Sequence, residues 1–288
     1  MNFKKHALTA GITLSLLMGA PMMMNATEAA AAVQTVDSRA AFQKDVASIQ
    51  TAEQRNIIYV MDMTTKEGHS TYEGMISYEK SPAFHAKGSV KLTVEKDSKS
   101  EQTFMPYYFK ETKDGLAFYR NYSGNTWEKS VNKDGNMKTL LDGTTEKGIL
   151  EAIAEKAKSI ESFDTTDGTH AYMVTLDGAA ILDFLPAFQD NDVNSYVSLA
   201  TAALKNADDV RVKITYDPVR HEVKGIESDL SQLMQSLAPA LEKNPMTKDF
   251  AELAKDARMI VGLGSMPSDI MGDISVPKDI EKSAKEVK

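Results

Sequence analysis

Eleven residues in the first third of the chain constrain the fold more than any others. From Phe84 to Val94 the sequence alternates without a break: Phe84, Ala86, Gly88, Val90, Leu92 and Val94 fall on one side, and His85, Lys87, Ser89, Lys91 and Thr93 on the other. Side chains of an extended strand point alternately to opposite faces, so strict period two over this length means a sheet with one dry face and one wet face. A wet face on a long strand is characteristic of antiparallel sheets, because parallel ones are buried on both sides.

The flanking segments extend the same pattern. Asn56 to Thr64 places Tyr59, Met61 and Met63 opposite Val60, Asp62 and Thr64, and Ser70 to Tyr78 follows after Lys66-Glu67-Gly68. Phe104 to Phe109 is a further strand. Lys113-Asp114-Gly115 turns the chain into Leu116 to Tyr122, and Ser123-Gly124-Asn125 turns it into a strand holding Trp127. Asp-Gly and Gly-Asn between alternating runs are hairpin signals. The N-terminal half therefore reads as an antiparallel meander of about six strands.

Helical spacing appears on both sides of this meander. Ahead of it, Phe42, Val46 and Ile49 form one apolar stripe, behind a cap supplied by Asp37 or Ser38. After it, Ile149, Leu150, Ile153, Ala154, Ala157 and Ile160 predict an amphipathic helix over Thr145 to Ile160. A strand from His170 to Leu176 comes next, then helices over Ala179–Phe188 and Val193–Asn206. Val210, Val212, Ile214 and Tyr216 alternate in a strand, Asp217-Pro218 turns it, and His221 to Glu227 returns. A helix over Ser231–Glu242, a strand over Asp256–Gly264 and a short one at Ile274-Ser275-Val276 complete the pattern, with a charged, disordered tail over 278–288. The expectation is one α+β domain over residues 33–288: a large curved antiparallel sheet, a half-open barrel, capped on one side by helices.

The first 32 residues stand apart. Lys4, Lys5 and His6 precede an uncharged run from Ala7 to Ala20, and Pro21 leads to Ala29-Ala30-Ala31-Ala32. A basic head, an apolar stretch and small residues at a cut site are the parts of a secretory signal peptide. The apolar run is shorter than the roughly 20 residues a membrane span needs. Cleavage between Ala30 and Val33 would send the product to a periplasm or to the cell exterior. The chain carries a formal charge of −8 and no cysteine. Lys4, Lys5 and Glu28 contribute +1, so the remainder stands at −9, with no basic stripe to neutralise nucleic-acid phosphates. Without cysteine there is no disulfide and no lipidated residue at the cut, hence no membrane anchor after cleavage.

The order of these elements resembles the lipoprotein-carrier superfold of LolA and the LppX-related lipid carriers. It is carried by Met61-Asp62-Met63, Tyr72 with Gly74, Lys80-Ser81-Pro82, Gly115-Leu116-Ala117-Phe118-Tyr119 before Trp127-Glu128-Lys129, and Ile274-Ser275-Val276-Pro277 followed by Ala284 and Val287. Within that fold it is closest to an uncharacterised group of exported or lipid-anchored proteins of Firmicutes. The resemblance implies a half-closed barrel whose helices enclose an apolar cavity for acyl chains.

The sequence contains no G-x-S-x-G, no Walker loop and no H-E-x-x-H, and the histidines His69, His85, His170 and His221 are scattered. No catalytic residue, metal ligand or cofactor is expected. The expected ligand is apolar: a lipid, an acyl chain or a lipidated peptide. Phe84, Val90, Leu92, Val94, Met105, Tyr107, Phe109, Phe118, Tyr122 and Trp127 are the candidate cavity lining, and plain core is the competing reading of the same residues. Eleven methionines outside the leader suit a surface that accepts varied apolar partners, and they equally fill irregular cores. The alternative function is a structural or protein-interaction module of the cell envelope with a filled core.

Overall fold

The computed structural model describes residues 38–50, 53–121, 124, 126–133, 146–178, 209–242, 248–266 and 272–287. The signal-peptide region, Asp37, Tyr122 and the helices expected over Ala179–Phe188 and Val193–Asn206 lie outside them.

The described residues open with helix α1 (Arg39–Ser48). Six strands follow: β1 (Gln54–Thr65), β2 (Gly68–Glu79), β3 (His85–Lys96), β4 (Lys99–Thr112), β5 (Gly115–Arg120) and β6 (Glu128–Asn132). Then come α2 (Glu146–Lys156), β7 (Ala157–Asp164), β8 (His170–Leu176), β9 (Val210–Asp217) and β10 (Glu222–Asp229). The chain continues through α3 (Ser231–Glu242), α4 (Lys248–Ala254), β11 (Arg258–Met266), α5 (Lys278–Ser283) and β12 (Lys285–Glu286). All twelve strands form one sheet in the order β12-β6-β5-β4-β3-β2-β1-β11-β10-β9-β8-β7. It is curved and unclosed, the half-open barrel of an α+β fold. Every pairing is antiparallel except the two-residue contact of β12 with β6.

Two hairpins share one turn chemistry. The Thr65 hydroxyl donates to the Gly68 carbonyl and accepts from the Glu67 N–H, and Thr112 does the same with Gly115 and Asp114. Gly68 and Gly115 have φ of 152° and 129°, and a Cβ at either would lie 2.3 Å from Glu95 O or 2.1 Å from Asn132 O. Only glycine fits such positions. Between β3 and β4 the turn residues Asp97 and Ser98 both have positive φ, 51° and 61°. Two left-handed residues in a two-residue loop match the twist of the strands they join.

Register assigns each side chain to a face. One face carries the even residues of β2 and β3 and the odd residues of β1, β4 and β11, and helices α1 to α4 cover it. Under α3 and α4, Met234, Ala238, Leu241, Ala251 and Ala254 pack on Met61, Tyr72, Leu92, Met105 and Met259. Under α1 and α2, Phe42, Val46, Leu150 and Ile153 pack on Ile160, Tyr172, Val174 and Ile214. Helix α1 is also pinned by polar contacts: the Arg39 guanidinium donates to the Ala154 and Ala157 carbonyls, and Asp45 accepts from Tyr172 at 2.6 Å and pairs with His170 at 2.6 Å. Ser38 precedes the helix, but its hydroxyl bonds Ser162 rather than capping a free N–H.

The structure corrects four expectations. The helix expected to reach Ile160 ends at Lys156, and Ala157 begins β7. Among the described residues Ile274 and Val276 pair with no strand; both are buried, and Val276 packs on the face opposite helices α1 to α4, against Tyr108, Ala117 and Tyr119. The segment expected to be a disordered tail forms α5 and β12, with Ile280 and Ala284 on that same face. Trp127 precedes β6 instead of lying within it.

Candidate functional site

The eight expected lining residues that lie on the helix-covered face fall into two groups. Phe84, Val90, Leu92, Val94, Met105, Tyr107 and Phe109 are buried in the cluster under α3 and α4, and Phe118 packs against it half-buried, stacked on Phe109 with ring centroids 4.6 Å apart. Trp127 lies on the opposite face, 5.6 Å from the Tyr108 ring and beside Ile280. It lines the C-terminal clasp, not the space beneath the helices.

The exposed part of the helix-covered face lies elsewhere, at the seam between the two clusters. Val212 on β9 touches both. Beside it run half-buried Ile226 on β10, Val261 and Leu263 on β11, Ile57 and Tyr59 on β1, and Ile76 on β2. Their register makes the strip continuous: Ile226 opposes Leu263, Leu263 opposes Tyr59, and Ile57 opposes Ile76. Ile57 and Leu263 belong to neither packed cluster. The sequence analysis passed over this strip because its residues are spread across five strands, with only Tyr59 and Val212 marked, as members of strands. Period two on β1 and on Val210–Tyr216 gave the right face, but not the register that joins them.

Two tyrosines shape the floor of the strip. A Cβ on Gly74 would lie 2.0 Å from Tyr59 Cζ, and one on Gly88 would lie 2.4 Å from Tyr107 Cζ. Each ring tip therefore lies flat on a glycine of the neighbouring strand. The two phenols share a hydrogen bond. Burial pushes the Tyr59 phenol up to about 12 and Tyr107 well above its ordinary range, so both are neutral near pH 7. Neutral phenols at these positions offer an apolar body and one polar tip.

One end of the strip is cationic. Arg55, two residues before Ile57 on the same face, is 9% exposed and directly opposes Tyr78 on β2. Burial raises the Tyr78 phenol, and the Arg55 charge lowers it in part. Lys80 Nζ stands 5.9 Å from the Tyr78 ring centroid. Glu222 faces Arg55 at 3.8 Å and Arg220 at 3.6 Å.

The site thus defines a class: an α+β half-open barrel with an apolar strip on its helix-covered face. No family model matches the chain, and no curated protein matches it. Among solved structures it is similar to LprF from Mycobacterium bovis, at 12% identity and a TM-score of 0.42, over 83% of this chain and 97% of that one.

Proposed function

We propose that the protein is an exported, non-enzymatic binding protein that holds an apolar ligand, such as a lipid, an acyl chain or a lipidated peptide, between its curved sheet and the helices over it. The observation that carries this reading is the half-buried strip of Ile57, Tyr59, Ile76, Ile226, Val261 and Leu263 on a face that is otherwise sealed by helices. Apolar side chains left partly in water on a covered face gain by accepting an apolar guest, at about 0.8 kcal/mol per buried CH₂. Binding of this kind needs no catalytic group. Export rests on the leader pattern of residues 1–32.

The test is gentle purification followed by native mass spectrometry, lipid extraction and titration with a fluorescent fatty-acid ester. Co-purifying lipid or saturable probe binding, weakened at least tenfold by Leu263→Asp, is the expected result. A chain that carries no lipid and takes up no probe would leave the filled-core envelope module as the better reading.

A further inference from the structure

We infer that Tyr59 is a specificity-determining residue of the strip: its phenol donates a hydrogen bond to the carbonyl of an uncharged acyl ester or amide whose chains lie on the apolar residues beside it. This rests on the apolar-ligand reading and names the ligand class for the same strip. Among the residues of the strip, Tyr59 alone carries a polar side-chain atom. Strands β2 and β3 lie between β1 and β4 in the sheet. Tyr59 crosses β2 over Gly74, Tyr107 crosses β3 over Gly88, and the two phenols meet in their hydrogen bond above these strands.

A count of protons shows what the pair has left to offer. Two neutral phenols carry two O–H protons, and the bond between them uses one. Tyr107 is buried in the cluster under α3 and α4, whereas Tyr59 is half-buried at the strip. A buried donor without an acceptor is costly. The arrangement of least cost therefore uses the Tyr107 proton in the mutual bond and leaves the Tyr59 proton for water or a ligand. A carbonyl oxygen accepts that proton without bringing a charge, and the carbons on either side of it stay apolar. Leu263 directly opposes Tyr59, and Ile57 precedes it by two residues on the same face, so apolar contacts flank the hydroxyl. Burial pushes the Tyr59 phenol up to about 12. Surroundings that disfavour a phenolate also disfavour a ligand carboxylate set against it.

The test compares delipidated wild type with Tyr59→Phe and Tyr107→Phe, by displacement of diphenylhexatriene, a fluorescent hydrocarbon with no acceptor. The competitors are octadecane, methyl palmitate, N-methylpalmitamide and palmitate, at about pH 8. Tyr59→Phe is expected to weaken the ester and the amide at least about fivefold, as suits one lost hydrogen bond, and to leave octadecane within about twofold. Tyr107→Phe keeps the Tyr59 proton and is expected to weaken the ester less than Tyr59→Phe does. Wild type is expected to bind methyl palmitate more tightly than palmitate. Infrared spectra of methyl palmitate labelled with ¹³C at the carbonyl are expected to show a lower stretching frequency on wild type than on Tyr59→Phe. A purely structural phenol pair predicts instead that each variant weakens octadecane and ester alike, with the carbonyl band unmoved. The inference is overturned by that pattern, by unchanged ester affinity in Tyr59→Phe, or by palmitate binding as tightly as its ester. If Tyr59→Phe fails to fold, wild type decides: a carbonyl band at its position in hydrocarbon solvent overturns the inference, and a lowered band supports it. Failure of wild type to bind diphenylhexatriene, octadecane and the ester overturns the apolar-ligand reading too, whereas hydrocarbon binding without the Tyr59 effect overturns only this inference.

Discussion

Substituting Gly74 by alanine tests how the floor is built. The new Cβ would fall 2.0 Å from Tyr59 Cζ, 2.3 Å from its hydroxyl oxygen and 2.5 Å from Cε1. Ordinary carbon contacts begin near 3.5 Å, so the ring tip must rise by about 1.5 Å. Tyr59 is half-buried, so it can swing into the strip, but it then leaves the Tyr107 hydroxyl. Overpacking costs about 1–3 kcal/mol, and the lost hydrogen bond about 1 kcal/mol. Against this, alanine stiffens the unfolded chain by about 0.4–1 kcal/mol relative to glycine. The net expectation is a loss of about 1–3 kcal/mol, read as a lower urea midpoint at unchanged slope. The Tyr59→Leu/Gly74→Ala pair closes a double-mutant cycle, because a shorter side chain removes the clash. A favourable coupling of about 1 kcal/mol or more is expected. Wild-type stability in Gly74→Ala, or a coupling near zero, would refute the account of two rings lying on two glycines. Because the displaced ring enters the strip, the same variant is expected to bind the fatty-acid ester probe more weakly.

The other expectations follow from the same contacts. Gly88→Ala should cost more than Gly74→Ala in the same urea titration, because its Cβ meets the Met75 carbonyl oxygen at 2.6 Å as well as the buried ring of Tyr107. Ile280→Ala should cost about 2–5 kcal/mol and shift the emission of the single tryptophan to the red, since Trp127 lies under the C-terminal clasp. His69 is held above its ordinary value, chiefly by its hydrogen bond to Asp62. Its contribution is complete below the unfolded value of about 6.5 and fades as pH rises through the folded one. At 36% side-chain exposure this is worth under about 1 kcal/mol. His69→Gln should remove a small excess of stability at pH 5.5 over pH 8, measured by urea midpoints.

Much of the sheet was legible because one-sided burial writes itself into period two. His170–Leu176 and Ser231–Glu242 carry the same bounds in the sequence and in the structure. The miss at Ala157–Ile160 has a physical cause. Beside Ala157 and Ser159 the pairing with β8 shifts register, opposing them to Leu176 and Thr175, while Ile160 opposes Val174. The irregularity lets Ala157 and Ile160, three residues apart, share one buried side, which imitates a helical stripe. Ile274 and Val276 alternate like a strand because both are buried, yet neither belongs to a described strand, and Val276 packs on a face of the sheet instead. The candidate site was legible only in part. Apolar content marked Phe84 to Phe109, the sealed portion of the face, whereas an exposed strip is defined by which neighbours are missing, a property of register between distant strands. Trp127 shows the same limit, since its phase relative to β6 decides its face.

The strand order also governs how such a chain comes together. Strands β1 to β6 are a run of sequence neighbours, and β7 to β10 are a second run. What joins them is β11, which pairs with β1 on one side and β10 on the other and is completed only at Met266. Until that strand is in place, the inner edges of both runs carry unpaired backbone groups, and the helix-covered face is split along the seam where the strip lies. The final sheet therefore closes late and over long sequence separations, which makes its formation slow. A chain synthesised from its N-terminus stays open down its middle until nearly all of it has emerged, and the strip comes into being with the last long strand.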